Sequence, residues 1–299
     1  MTSRYDVPVD PAATNNPHSA AIRLVGTGRR VLEVGCAGGH VTRHLADRGN
    51  EVVGIELDPT AAEHARQFAT DVHVDDLDDT LPSSLVDGEF DVVVLGDVLE
   101  HLRDPAVVLA DSVSVLGPAG RLVVSVPNVA HIDVRMMLLA GEWHYQDVGV
   151  LDRTHLRWFT RESLRALLAD VGFVAVEVER VTVPFTGSGL PVRLDLASPE
   201  LRRLIEADPE AGTFQWVVAA ERAEVGEHGV VLSPDDALAA TGPVPWPDLG
   251  EERRRLEAQV AELSERCEAL GNEVDAWRRS RLVRWTAPIR SFAARLRGR

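Results

Sequence analysis

A short apolar run near the start of the chain contains an acidic residue and is followed by glycines, and together these residues restrict the ligand that the turn can hold. The run contains Glu33, and glycines follow at positions 35, 38 and 39, where a helical pattern begins. Glycine lacks a Cβ, so the backbone can turn sharply and approach a ligand closely. A carboxylate beside such a turn repels a pyrophosphate and attracts an ammonium or sulfonium group. The spacing therefore favours a nucleotide-like ligand that carries a positive charge.

Two common phosphate-binding patterns do not match this turn. A P-loop requires G-x-x-x-x-G-K-[ST], and this chain contains no lysine. The dinucleotide fingerprint G-x-G-x-x-G requires a different glycine spacing, which disfavours an NAD-linked oxidoreductase. Glu56 lies 21 residues after Gly35, and its two oxygens can accept hydrogen bonds from both ribose hydroxyls. It therefore suits a dinucleotide as well as the positively charged ligand.

Strand and helix patterns alternate from residue 30 onwards. Short apolar runs bounded by turn residues indicate strands at 31–35, 51–57, 72–74, 91–95, 121–126, 174–183 and 214–220. This order predicts an α/β fold with a Rossmann-like, doubly wound sheet of seven strands. Ligands of such sheets bind beyond the carboxyl ends of the strands, which is where the acids and histidines discussed here fall.

The glycine turn resembles motif I of the class I S-adenosylmethionine (SAM) dependent methyltransferases, [DE]-x-G-x-G-x-G, with Ala37 at the middle glycine. The resemblance implies SAM as the cofactor and an antiparallel hairpin at the end of the sheet. It also implies a helix at 18–28 that covers the cofactor, in which His18 lines the pocket or lies on the surface. The residues that it assigns to cofactor binding are Glu33, Gly35, Cys36, Ala37, Gly38, Gly39, Glu56, Leu57, Asp76, Leu77 and Asp97.

Three later blocks extend the resemblance over residues 20–222. D-V-L-E-H-L-R-D-P, starting at Asp97, is similar to a signature of ubiquinone-type and related small-molecule methyltransferases. S-V-P-N from Ser125 and D-R-T-H-L-R-W-F-T from Asp152 resemble blocks of bacterial methyltransferases associated with glycan and cell-envelope pathways. The resemblance implies methyl transfer to a small-molecule or glycan acceptor, with oxygen favoured over nitrogen or carbon.

A hydroxyl acceptor needs a base, and an imidazole titrates near neutral pH. We therefore predict His155 as the first candidate for the catalytic base and His131 as the second. His101 is expected to stabilise its turn or to touch the substrate. The spacing of these histidines and of Asp152 is not characteristic of a metal site, and no metal is predicted.

Arginines near the last block are candidates for acceptor binding, because a guanidinium pairs well with a phosphate or carboxylate. The predicted substrate-binding residues are Asn128, Tyr145, Arg153 and Arg157. Residues 133–150 are expected to form a lid over the acceptor. The alternative for the last block is a structural polar cluster that fixes this lid.

Composition excludes some functions for the chain as a whole. The formal net charge of −16 argues against general binding of nucleic acid. Cys36 and Cys267 are too far apart to suggest a disulfide framework or a zinc site, which agrees with a reducing cytoplasm. We find no signal peptide and no apolar run of about 18 residues, so we predict a cytoplasmic protein without a membrane span.

The final segments carry a separate pattern. Apolar residues spaced four and three apart form a heptad seam, which predicts a coiled coil with a second copy or a partner helix: Leu256, Val260, Leu263, Cys267, Leu270, Val274 and Trp277. Residues 278–299 carry eight arginines and no acid, interleaved with apolar residues, as in a peripheral anchor on anionic lipid.

The predicted divisions are a flexible lead-in 1–20, a methyltransferase domain 21–222, a linker 223–249, a coiled-coil helix 250–277 and a basic tail 278–299. An accessory protein that acts through the coiled coil, without turnover, is the alternative function.

Overall fold

The computed structural model divides the chain into two units, Met1–Trp246 and Pro247–Arg299. In the first unit it describes residues 8–78, 81–82, 85, 90–193, 198–208, 210–225 and 231–232. In the second it describes residues 261, 264–266 and 269–270, which are helical and exposed. The rest of the predicted coiled-coil seam, the basic tail and most of the predicted linker lie outside the described residues, so those predictions stand untested.

The first unit contains alternating strands and helices. Its strands are β1 (Arg30–Val34), β2 (Glu51–Glu56), β3 (Asp71–Val74), β4 (Phe90–Gly96), β5 (Leu116–Pro127), β6 (Phe173–Thr182), β7 (Thr213–Arg222), β8 (Glu224–Val225) and β9 (Val231–Leu232). Its helices are α1 (Pro17–Val25), α2 (Thr42–Asp47), α3 (Pro59–Ala65), α4 (Pro105–Val115), α5 (Ile132–Leu139), α6 (Arg161–Asp170) and α7 (Pro199–Glu206). A 3-10 turn occupies Leu99–His101 between β4 and α4.

Seven strands pair in one sheet in the order β3-β2-β1-β4-β5-β7-β6. The strand β1 is parallel to both of its neighbours, and Val34 lies opposite Ile55 on β2 and Leu95 on β4. β7 is antiparallel to β5 and to β6. The predicted seven-stranded sheet with an antiparallel last hairpin is therefore confirmed.

Two hydrophobic clusters cover the two faces of the sheet, because alternate residues of a strand point to opposite faces. Leu32 of β1 packs in one cluster with Leu109 of α4 and Leu164 of α6. Val31 packs in the other with Ile22 of α1 and Leu45 of α2. Burial on both faces explains why the strands read as continuous apolar runs rather than as alternating patterns.

Several element boundaries differ from the sequence prediction, and the predicted helix at 18–28 is α1, which ends at Val25. The helix after the glycine turn begins at Thr42 rather than at Gly39, whose left-handed φ of +84° is incompatible with a helix. β5 begins at Leu116 rather than at 121, because its first residue pairs with Phe90 before a register shift between Phe90 and Val92. Among the helices that the structure describes, none is both long enough and apolar enough to cross a bilayer.

Candidate functional site

The glycine turn after β1 is fixed by hydrogen bonds to β2. The N–H groups of Gly35 and Cys36 both donate to the carbonyl of Ile55, at 2.8 and 3.0 Å. Gly35 has φ +76°, and a Cβ at this position would lie 2.7 Å from Cγ2 of Val98, so the turn requires glycine here. Ala37 also adopts a left-handed φ, +45°, although it carries a side chain. The chain thus keeps the turn geometry with alanine where the motif has glycine.

Glu56, at the end of β2, presents a carboxylate that the backbone has already oriented. One oxygen accepts a hydrogen bond from Ala37 N–H at 2.8 Å, and the other accepts one from Asp58 N–H at 2.9 Å. Each carboxylate oxygen has a second lone pair, so both can still accept a hydroxyl. The arrangement suits a vicinal diol such as that of a ribose.

Glu33 is buried behind the turn. Its carboxylate accepts a hydrogen bond of 2.7 Å from the hydroxyl of Thr42 on α2. Burial raises the pKa of Glu33 to about 8, the Thr42 hydrogen bond lowers it, and the nearby charge of Glu56 raises it. Cys36 is also buried, and burial raises the pKa of its thiol. Both side chains therefore support the turn from behind.

A cavity of about 620 Å³ opens at the carboxyl edge of the sheet, within the range of pockets that bind small ligands. Its wall includes these residues predicted to bind cofactor: Gly35, Ala37, Glu56, Leu57, Asp76, Leu77 and Asp97. Of the other predicted cofactor residues, Glu33, Cys36, Gly38 and Gly39 are not in this wall. His18 of α1 also lines the cavity. The glycine turn, the ends of β2 and β4 and the covering helix therefore share one ligand space.

Asp97 lies in the cavity wall directly after β4, with a left-handed φ of +56°. Its carboxylate accepts hydrogen bonds from the Ser125 hydroxyl at 3.0 Å and from the Gln215 side chain. Burial raises the pKa of Asp97, while the histidines His18 and His101 favour its ionised form. Strained backbone of this kind is common at ligand sites. β1 separates β2 from β4 in the sheet, so the strands that lead to Glu56 and to Asp97 lie about 10 Å apart.

Glu100, His101 and His155 form a cluster in the same cavity wall. Atoms of the three side chains that can bind a metal lie within 4.8 Å of one another, and the two imidazole rings meet edge to face with centroids 4.8 Å apart. Glu100 is 1% exposed, and neither of its carboxylate oxygens has a hydrogen-bond partner among the described residues. Burial, with the nearby charges of Asp97 and Asp152, raises the pKa of Glu100 well above its usual value.

The segment that contains His155 is joined to the 3-10 turn by backbone hydrogen bonds. The Glu100 carbonyl accepts from Leu156 N–H at 2.7 Å and from Arg157 N–H at 3.0 Å. His155 Nδ1 lies 3.1 Å from the Val150 carbonyl. The blocks that follow β4 and α5 are therefore brought into one site, although they are far apart in the sequence.

His131 and Asn128 lie in the core rather than in the cavity wall. His131 Nδ1 accepts from Asp133 N–H at 3.2 Å, and its Nε2–H donates to the Val183 carbonyl at 3.0 Å. Burial lowers the pKa of His131. Asn128 donates to the Thr213 carbonyl at 2.8 Å. Both side chains fix the start of α5 and its connection to β7, and neither reaches the ligand space.

The other predicted acceptor-binding residues are exposed, outside the cavity wall. Arg153 forms an ion pair of 2.7 Å with Asp147, and Arg157 donates to the carbonyl of Arg103. Tyr145 is 53% exposed and packs edge to face on a tryptophan. Within the predicted lid, Val148 and Gly149 are the residues that reach the cavity wall.

Several residues of the cavity wall have no role in the sequence-based prediction. Glu100 lies inside a block that was recognised, yet no function was assigned to it. Thr154, Phe214 and Gln215 also line the cavity. The adjacency of Glu100 and His101 in the sequence could have indicated a role for Glu100. Phe214 and Gln215 lie on β7, and no sequence motif marks them.

Comparison with known proteins agrees with this geometry. Residues 13–178, more than half of the chain, match a family model described as a methyltransferase domain. The chain belongs to this methyltransferase family. The predicted class I SAM-dependent methyltransferase and its SAM cofactor are confirmed at this level.

Each alignment with an individual relative spans only part of that relative's length. The chain is 29% identical over 141 residues to a ubiquinone biosynthesis O-methyltransferase of Aeromonas salmonicida, covering 46% of this chain and 59% of that protein. It is 35% identical over 165 residues to a Mycolicibacterium smegmatis protein named as a probable S-adenosylmethionine-dependent methyltransferase, covering 54% and 58%. The chain thus spans less than two thirds of these relatives. A solved SAM-dependent methyltransferase from Archaeoglobus fulgidus aligns with a TM-score of 0.50 at 22% identity over 69% of this chain and 95% of that one, which shows the fold alone.

Proposed function

We propose that this protein transfers the methyl group of SAM to a hydroxyl oxygen of a small-molecule or glycan acceptor. The observation that carries the proposal is the division of one cavity into two chemically different parts. Glu56 presents an oriented carboxylate to a diol, and Glu100, His101 and His155 present basic groups elsewhere in the same wall. The first part suits the cofactor, and the second suits a hydroxyl that loses its proton.

The cofactor part supports a defined orientation of SAM. In the proposal the ribose hydroxyls donate to Glu56, and the adenine lies toward Asp76 and Leu77. Asp97, across β1 from Glu56, then faces the methyl-bearing end. A carboxylate near a sulfonium is favourable because the two charges are opposite.

Methyl transfer in this arrangement is a direct displacement. A lone pair of the acceptor oxygen forms the new O–CH3 bond while the S–CH3 bond breaks and its electrons return to sulfur. The products are the methylated acceptor, S-adenosylhomocysteine and one proton. The residues of the chain align the two reactants and exclude water, and the Glu100, His101 and His155 cluster lies where the proton is lost. The predicted base, His155, belongs to this cluster.

The oxygen acceptor agrees with the name of the Aeromonas salmonicida relative, an O-methyltransferase. The glycan and cell-envelope context comes from the resemblance of the S-V-P-N and D-R-T-H blocks. In the proposal the chain works in the cytoplasm or against the inner face of the membrane, with 278–299 as its lipid contact and 256–277 as its pairing helix. It does not act on nucleic acid, in keeping with its net charge of −16.

The test combines cofactor binding with turnover. Calorimetry should show that the full-length chain binds SAM and S-adenosylhomocysteine but not NAD. SAM labelled in the methyl group should then transfer label to a catechol or to a cell-envelope glycan extract, in a base-stable ether. Binding of NAD without SAM would overturn the proposal. SAM binding without transfer to any acceptor would favour the accessory role instead.

A further inference from the structure

We propose that Gln215 of β7 is a positioning residue, which holds the Asp97 carboxylate so that the cavity gains affinity for SAM relative to its product, S-adenosylhomocysteine. The inference rests on the proposed function and deepens it, because it states how the site distinguishes the methyl donor from the product. The two molecules differ by one methyl group and by the positive charge that this group places on sulfur. A carboxylate near the sulfur attracts the sulfonium of SAM and gains nothing from the neutral thioether of the product.

The hydrogen bonds to Asp97 give the first argument. The Ser125 hydroxyl of β5 donates to Oδ1 of Asp97 at 3.0 Å, and the Gln215 side chain of β7 donates to the same oxygen. An ionised carboxylate oxygen only accepts, so the amide presents its nitrogen here. Among the residues that the structure describes, none donates to Oδ2 of Asp97. Since Asp97 lines the cavity, its second oxygen is available to a ligand while the sheet holds the first.

The position of Gln215 in the sheet gives the second argument. β5 lies between β4, which leads to Asp97, and β7, and Gln215 pairs with Pro127 at the end of β5. Its amide therefore reaches Asp97 across β5, and the residue is 6% exposed. A side chain packed in a protein interior is held in one rotamer by its neighbours. The carboxylate is thus oriented before a ligand enters the cavity.

The backbone of Asp97 depends on β5. Asp97 has a left-handed φ of +56°, which is unfavourable for a residue with a Cβ. Its N–H lies 3.2 Å from both the carbonyl oxygen and the hydroxyl oxygen of Ser125. Such a conformation persists where surrounding contacts fix it. Ser125 therefore fixes the backbone and one donor, and Gln215 supplies the second donor to the carboxylate.

The titratable neighbours of Asp97 define what the amide contributes. Burial raises the pKa of Asp97. The charges of His18 on α1 and His101 on the 3-10 turn oppose this effect, as do the two hydrogen bonds to its carboxylate. Glu100 is a second acid beside Asp97, and burial and then the charge of Asp97 raise its pKa. Removal of the Gln215 amide leaves these groups in place and withdraws one donor, so the pKa of Asp97 should rise.

The effect on the reaction follows from the loss of charge at sulfur. The electrons of the S–CH3 bond return to sulfur as the O–CH3 bond forms, so the sulfonium charge is reduced in the transition state. A carboxylate near sulfur therefore stabilises bound SAM at least as much as the transition state, and it lowers KM rather than raising kcat. After transfer the attraction is gone, which favours release of the product.

The experiment measures binding of SAM and of S-adenosylhomocysteine to the full-length chain by calorimetry. Gln215→Leu keeps the approximate size of the side chain and removes the donor. At pH 7 its affinity for SAM should fall about tenfold, and its affinity for S-adenosylhomocysteine by less than about twofold. In steady-state assays KM for SAM should rise by a similar factor, with kcat retained. Gln67→Leu, at an exposed position after α3, is the matched control and should bind both ligands normally.

A double-mutant cycle tests whether Gln215 acts through Asp97. Asp97→Asn removes the charge and should lower the ratio of the two affinities, and Gln215→Leu should then lower that ratio no further. The pH profile gives a second readout. SAM affinity should fall on acidification as Asp97 takes up a proton, and Gln215→Leu should lose it at a higher pH than the wild type. A purely structural role of Gln215 would weaken both ligands alike and leave the pH profile unchanged.

Gln215→Asn provides a second variant if the leucine variant does not fold. It retains an amide and withdraws it by one methylene, so it should shift the ratio of the two affinities in the same direction. Thermal unfolding without ligand identifies the folded samples. The same ratio in the wild type and in the folded Gln215 variants would overturn the proposed role, and so would a full effect of Gln215→Leu in the Asp97→Asn background.

The same samples distinguish this failure from failure of the proposed function. Methyl transfer by the wild type, with an unchanged ratio in the variants, would overturn the role of Gln215 and leave the methyltransferase intact. The expected change of the ratio, with no label transferred to any acceptor, would overturn the proposed function and leave the role of Gln215 in cofactor binding.

Discussion

Replacement of Glu33 by glutamine should change how the stability of the protein depends on pH. The pKa of Glu33 is raised from 4.5 to about 8 in the folded protein, chiefly by burial. Between these values the folded chain keeps a proton that the unfolded chain has released. The free energy of unfolding therefore falls as pH rises through this range, by up to about 1.4 kcal/mol per pH unit and about 5 kcal/mol over the whole range, to order of magnitude.

Glu33→Gln removes this dependence and keeps an oxygen that can accept the hydrogen bond from Thr42. Urea denaturation at intervals from pH 5 to pH 8 should show the variant gaining stability relative to the wild type as pH rises. The advantage should approach about 4 kcal/mol near pH 8, to order of magnitude. Glu177→Gln, at an exposed position of β6, controls for the loss of one carboxylate.

A difference between Glu33→Gln and wild type that stays constant from pH 5 to pH 8 would refute this reasoning. So would a variant that is less stable at the higher pH. Either result would mean that Glu33 is ionised in the folded protein across this range and finds a charged partner there.

Three further changes test the cofactor site and the chain divisions. Glu56→Gln should weaken SAM binding about 10–100-fold in calorimetry, through loss of charged hydrogen bonds to the ribose; unchanged affinity would place the ribose elsewhere. Ala37→Gly should stabilise the protein by about 0.5–1 kcal/mol in urea denaturation, because it relieves the left-handed φ of +45°, without loss of SAM affinity; a less stable variant would contradict the strain. Deletion of 251–299 should leave SAM affinity intact and alter oligomeric state or lipid binding, and an unchanged sedimentation profile from a full-length chain that binds no lipid would remove the proposed role of the tail.

Much of the fold could be predicted because a buried strand appears in the sequence as a short apolar run. Val31, Leu32 and Val34 are apolar because both faces of β1 are covered, and an apolar run closed by glycine is readable without a structure. The start of α2 was not readable in the same way. Gly39 and the residues after it fit a helical pattern, and only the left-handed backbone at Gly39 excludes them from the helix.

The histidines show where local sequence gives too little information. His131 and His155 both lie in blocks that follow a strand or helix, and both suit a base. The contacts that distinguish the two histidines come from distant parts of the chain. His131 donates a hydrogen bond to the carbonyl of Val183, 52 residues later. His155 is instead brought to Glu100 and His101 by backbone pairing of 156 and 157 with residue 100. Such pairing depends on how two loops meet, which neither block reveals alone.

The crystal structure of the full-length chain with S-adenosylhomocysteine tests the central claim most directly. We expect the ribose hydroxyls to donate to the two oxygens of Glu56, and the sulfur to face Asp97 and the cluster of Glu100, His101 and His155. A ligand whose ribose lies away from Glu56, or whose sulfur points away from Asp97, would contradict the proposed cofactor site.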